Sequence, residues 1–293
     1  MRKKSISNSQ NLKEGSMRLL FLACACISVF AVAVICLFLF SRGFPAMFDI
    51  GILKFLFGRV WRPSAGEYGI FPMIVGSIYV TAGAIATGVP TALMFSVFLS
   101  KFCPAKLYPI LRSGVALMAG IPSIVYGFFG LTVIVPMIRK ITGGGGKGIV
   151  SASILLGIMI LPTVIGVAQS AISAVPKRYE EGSLALGATY ERSVFSVVLP
   201  SAKSGIFAGV ILGVGRAIGE TMAVIMVAGN QEILPKSILS GVRTMTANIV
   251  LEMAYSEAGS IHQNALIATG VALFVFVLMI NISFSLVKRK DKI

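Results

Sequence analysis

Charge is scarce in this sequence: only 13% of its 293 residues are Asp, Glu, Lys or Arg. A soluble globular domain carries about 25%, so that class is excluded. A mean hydropathy of +0.90 places the chain among polytopic membrane proteins. Acid is scarcer still, with 11 residues against 26 basic ones and a net charge of +15. In a soluble protein that excess would point to nucleic acid. Here the basic residues flank apolar runs, so membrane topology is the first explanation and no nucleic-acid partner is expected. Cysteine is also sparse. Cys24, Cys26 and Cys36 lie in the first apolar run and Cys103 in a short basic loop. Cys24 and Cys26, two apart, point to different sides of a helix. No histidine or second cysteine pair completes a metal site, and neither a metal nor another cofactor is expected. No nucleophile–base constellation supports a membrane enzyme.

A nucleotide-binding loop is missing as well. Four glycines stand together at 143–146, followed by Lys147. The P-loop pattern needs a glycine where Ile141 stands and a serine or threonine where Gly148 stands. The run reads as a flexible turn, and the chain has no visible site for nucleotide hydrolysis.

What the chain does have is six long apolar runs, at 19–40, 70–100, 113–138, 148–176, 205–230 and 263–287. Each is long enough to cross a bilayer as a helix. The first is longer than a signal-peptide core of about 7–15 residues and reads as a retained span. Between the first two, residues 48–61 mix Ile50, Leu53, Phe55, Leu56 and Phe57 with Lys54 and Arg59. They read as an interfacial helix with Trp61 at headgroup level. Pro90, Pro122 and Pro162 mark kinks. His262, the one histidine, borders the last span as an interfacial residue. Six spans put both termini on one side, which holds sixteen lysines and arginines against nine on the other. The positive-inside rule makes that side the cytoplasm.

One run carries charge. Arg216 and Glu220 fall in the middle of 205–230, four residues apart and so on one face of a continuous helix. A charge at the bilayer centre costs roughly 2.5–3.5 kcal/mol on insertion scales and normally faces a bundle interior or an aqueous path. The two residues either neutralise each other or mark the route of an anion. Glu before Arg is the better order for pairing, and the order here is the reverse. The guanidinium fork suits phosphate-like oxyanions, with Glu220 holding Arg216 or excluding the wrong anions. Ser123 and Tyr126 are further candidates for lining such a path.

The loop at 176–204 carries the second constellation. Glu181, Gly182 and Ser183 are followed after three residues by Gly187, after nine more by Val197, and then by Leu199 and Pro200. A short helix over 180–186 is expected to end at Gly187, because glycine readily takes the left-handed conformation. Pro200 is expected to stop any continuation before the next span. This spacing resembles the EAA loop of ATP-binding-cassette importer permeases, with Gly182 and Ser183 in place of two alanines and Val197 in place of isoleucine. The residues from Gly215 to Asn230, with Ile121 to Gly127, narrow the resemblance to the C-type permease subunit of the phosphate-specific transport system. The resemblance covers roughly 45–287.

That resemblance implies an all-α, type I (MetI-like) permease with a cytosolic coupling helix, in a bacterial or archaeal inner membrane. It implies an A-type partner permease, two ATP-binding subunits and an extracytoplasmic phosphate-binding protein. Arg216 and Glu220 would lie on the substrate path. Glu181, Gly182, Ser183, Gly187, Leu199 and Pro200 would serve ATPase coupling. The organisation is then a cytosolic tail at 1–18, a first span and outer interfacial segment at 19–69, a permease domain at 70–287, and a cytosolic tail at 288–293. The alternatives are an A-type subunit, a permease for another oxyanion, or an ion-coupled carrier. The last would be expected to show symmetric halves with broken helices and coupling carboxylates.

Overall fold

The computed structural model describes residues 8–290. The tail expectations at 1–7 and 291–293 lie outside these residues. Six segments among the described residues are long and apolar enough to cross a membrane: Ser16–Ile50, Phe71–Phe102, Ser123–Thr142, Ile149–Ser173, Tyr190–Gly219 and Ile261–Ser283.

The chain begins with α1 (Asn8–Ile50), which overruns the 19–40 run at both ends and carries Pro45 within it. After the short α2 (Ile52–Phe57), β1 (Trp61–Arg62) pairs antiparallel with β2 (Glu67–Tyr68). The interfacial expectation is corrected in one respect. Trp61 is only 3% exposed, with its ring edge-on to Tyr68 at 5.6 Å, so it anchors a core rather than facing a headgroup layer. Then come α3 (Phe71–Val97), extended by a π-helical turn at Phe98–Phe102, and α4 (Tyr108–Gly120). The third apolar run is not one helix. It breaks at Ile121 and Pro122, both extended, and resumes as α5 (Ser123–Phe129), a π-helical turn at Gly130–Ile134, and α6 (Val135–Thr142). Proline disfavours helical backbone in the residue before it. Tyr126 Oη donates to Met118 O at 2.9 Å and ties the two sides of the break together.

The central element is α7 (Ile149–Ser173), most of it buried and unbroken at Pro162. It packs along both α3 and α10 (Leu199–Gly219), which also touch each other. In a bilayer there is no hydrophobic drive between helices, so close approach over small residues does the work. A Cβ on Gly88 would sit 2.6 Å from Gly157 O, and one on Gly213 would sit 2.6 Å from Val164 Cγ2. Between α7 and α10 lie α8 (Lys177–Ala185), α9 (Tyr190–Ser193) and a π-helical turn at Val194–Val198.

Pro200 does not stop the helix as expected. It stands in the first turn of α10, where proline's missing N–H is tolerated, and the π turn before it keeps the whole of Tyr190–Gly219 helical. The chain continues as α11 (Met222–Val227), α12 (Met245–Met253) and α13 (Ile261–Lys290). The segment 231–262, between the fifth and sixth apolar runs, therefore contains a helix. This segment and the end of α11 also complete α7: Gly148 N donates to Val227 O at 3.0 Å, Ile149 N to Ser240 O at 3.2 Å, and Val150 N to Ile238 O at 3.3 Å.

The α3–α7 contact generates a first prediction. A Cβ on Gly157 would lie 2.5 Å from Thr87 Oγ1. Overpacking costs about 1–3 kcal/mol, so Gly157→Leu should lower the melting temperature and yield of the detergent-purified chain. Gly166→Leu should change neither, since a Cβ there meets nothing within 4 Å.

Candidate functional site

Arg216 stands in the last turn of α10, not halfway along a longer helix. The run 205–230 is broken. Glu220 is extended (φ −70, ψ 132), Thr221 is irregular (φ −121, ψ −61), and α11 starts at Met222. Arg216 and Glu220 therefore do not share a helix face, and no ion pair joins them. The Glu220 carboxylate is used otherwise: Oε1 accepts from Thr221 N at 3.1 Å and Ala223 N at 3.3 Å, capping α11. Its carbonyl accepts from Thr246 Oγ1 at 3.1 Å, at the start of α12. The cap replaces the backbone bonds that a continuous helix would have made. α11 is then held by α5, where a Cβ on Gly127 would sit 3.0 Å from Ala223 Cα.

The Arg216 guanidinium donates through Nη1 to Thr163 Oγ1 of α7 at 3.0 Å. Its charge sits at a helix C-terminus, where the macrodipole favours a cation. Gly215 and Gly219, on one face of this turn, have open space where a Cβ would stand. The α10–α11 break thus borders an unfilled side of the chain, and among the described residues no carboxylate pairs with Arg216.

The loop constellation lies at another end of the bundle. α8 covers Glu181, Gly182 and Ser183 and ends as expected, with Gly187 at φ +88. Glu181, Gly182 and Gly187 are exposed, and Leu186 is 90% exposed. Ser183 faces inward instead: its Oγ donates to Glu180 O at 2.8 Å and meets Ser193 Oγ. Leu199 and Pro200 are built into the start of α10. Glu180, which the motif spacing passes over, pairs with Lys101 of the α3 extension at 2.5 Å.

Sequence reasoning also missed Arg243. It donates to Asn230 O at 3.2 Å and Asn248 Oδ1 at 3.1 Å, and pairs with Glu232 at 2.7 Å and Glu252 at 2.9 Å. His262 Nε2 lies 3.2 Å from Glu252 Oε2, with its ring stacked on Tyr68 at 6.3 Å. The histidine borders α13 as expected but is packed into the protein. Burial pushes the Tyr68 phenol above its ordinary range. The available signal was Arg243's setting among Val242, Met245 and Ala247, which are buried.

A six-span helical bundle with an arginine at a helix break and a small exposed helix between two spans is a membrane permease. Residues 88–290 match the family described as the binding-protein-dependent transport system inner membrane component, and the chain belongs to it. It is 36% identical over 287 residues to "Probable ABC transporter permease protein YqgH" of Bacillus subtilis, covering 94% of this chain and 93% of that one. It is 33% identical over 263 residues to "Phosphate transport system permease protein PstC" of Mesorhizobium japonicum, covering 83% and 80%.

Solved structures share the fold. A bacterial alginate ABC transporter chain aligns with TM-score 0.67 at 13% identity over 96% of both chains. A chain of the inward-facing MetNI methionine ABC transporter aligns with TM-score 0.59 at 20% identity, over 79% of this chain and 99% of that one. The broken helices, which the ion-coupled alternative would have led one to expect, occur here within an importer permease.

Arg243 is 11% exposed and Glu252 20%. Removing one member of a buried charge network costs roughly 3–5 kcal/mol. Arg243→Ala should therefore sharply lower the unfolding temperature of the purified chain, and Arg243→Lys should recover only part of the loss, because one ammonium cannot replace the planar fork.

Proposed function

We propose that this chain is the permease subunit of an ATP-driven importer. It would pass inorganic phosphate from an extracytoplasmic binding protein across the inner membrane, with both termini cytoplasmic. ATP is hydrolysed in two separate ATP-binding subunits, and an A-type permease completes the pore. The observation that carries the reading is Arg216, in the last turn of α10 before the break, with Thr163 as its one hydrogen-bond partner among the described residues. The substrate class is supported by identity to relatives named PstC over four-fifths of the chain. An intramembrane arginine is costly unless something recovers the energy. A passing phosphate does so through charge-assisted hydrogen bonds to the guanidinium fork. Thr163 orients that fork. Glu220 keeps α10 short enough for Arg216 to stand at its end.

The test is uptake by the complex in proteoliposomes. Arg216→Gln should abolish phosphate uptake while the complex still assembles. Arg216→Gln combined with Glu220→Gln should also assemble and stay inactive. Normal uptake by the double variant would make the charges structural and defeat the reading.

The exposed α8 is the proposed contact for the ATP-binding subunits, with Glu181, Gly182 and Gly187 at the contact and Ser183, Leu199 and Pro200 behind it. A residue at Gly187 must take φ +88, and space is open around it. Gly187→Arg should leave membrane insertion intact, since it lies outside the spans, but abolish substrate-stimulated ATPase activity. Unchanged stimulation would rule out docking at this turn.

A further inference from the structure

The short helix α8 has two covalent routes into the bundle, a three-residue link at 174–176 from α7 and the exposed turn at Gly187 to α9 and α10. A helix held by these links alone could rock on them, and part of a push on it would be lost. The structure supplies a further attachment. Glu180, on α8 before the turn, pairs with Lys101 Nζ at 2.5 Å, and the two side chains are only 22% and 15% exposed. Tyr190, on α9 after the turn, donates from Oη to the Lys101 carbonyl at 2.9 Å. The Tyr190 ring also stands edge-on to Phe102 at 5.6 Å. One residue of the α3 extension thus grips both sides of the Gly187 turn, by its side chain on one side and its carbonyl on the other. The Ser183–Ser193 hydroxyl contact closes the same gap from within. A half-buried pair of this kind is screened less than a surface pair and holds its geometry better.

We infer that Lys101, Glu180 and Tyr190 form a clamp that makes α8 and the end of α3 one rigid body. A displacement of α8 then reaches the bundle through α3 and α10, both packed on α7, as well as along the chain into α7 itself. Lys101 and Glu180 are positioning residues for the proposed transport reaction. Neither the loop spacing nor family membership assigns them that role, and the inference rests on the ATP-driven reading above.

Two measurements test it. In reconstituted complexes, Lys101→Glu and Glu180→Lys should each raise the ATP hydrolysed per phosphate imported several-fold at unchanged assembly. The double exchange Lys101→Glu with Glu180→Lys should return the ratio close to normal. Tyr190→Phe, which removes one oxygen, should raise it less. An unchanged ratio in the single variants, or a loss of assembled complex that the exchange does not rescue, would overturn the clamp. The second measurement does not depend on phosphate. With the four cysteines replaced by serine, spin labels at Ala105→Cys and Leu186→Cys should keep one separation in ATP-free and vanadate-trapped complexes. The distribution should broaden when Lys101→Met is added. A separation that changes between the two states with the pair intact would sink the rigid-body claim. Failure of the unaltered complex to import phosphate would defeat the substrate reading alone, with the label distances still deciding the clamp.

Discussion

A helix that ends inside a bilayer leaves backbone N–H and C=O groups that only protein can satisfy, and this fold depends on meeting that demand twice. At the α10–α11 break, Glu220 takes up the amide protons of Thr221 and Ala223 with its carboxylate and a threonine hydroxyl with its carbonyl. At the α4–α5 break, Tyr126 reaches back to Met118. The two repaired breaks are neighbours, because α5 packs against α11 over Gly127, and Gly130 of the following π turn meets Val227 of α11. Arg216 stands where it does because α10 can stop there.

Among the described residues three π-helical turns occur, Phe98–Phe102 at the end of a span and Gly130–Ile134 and Val194–Val198 inside spans. A π turn inserts a residue without ending the helix and often marks a functional position. Two of the three flank α8. They bring Lys101 and Ser193 to its two sides, while α3 and α10 keep their packing on α7. The glycine contacts along α7 fix helix spacing, and the π turns adjust what the helix ends present.

The apolar runs made the spans legible, because lipid demands length and hydropathy whatever the side chains do. The spacing from Glu181 to Gly187 made α8 and its left-handed end legible, because glycine's conformational freedom is a local property. The break at Glu220 was not. The pattern around it runs on as if helical, and whether a carboxylate pairs with an arginine four residues back or caps the next helix depends on what holds α11. Pro200 misled for a related reason: proline ends a helix from within but is accommodated in a first turn. Arg243 was hidden because a charge in a connecting segment normally faces water, whereas here it is gathered in by four partners.

The N-terminal end of α7 is finished by residues that follow it by many positions: carbonyls at Val227, Ile238 and Ser240 receive the amide protons of Gly148, Ile149 and Val150. Chains are synthesised from the N-terminus, so the helix at the centre of the bundle emerges with its first turn unfinished. It stays so until α10, α11 and the segment behind them have been made and brought back across the same side of the membrane. The closing stitch of the bundle is therefore a late event in biogenesis, and the segment at 227–240 is as much a part of the α7 fold as the helix itself.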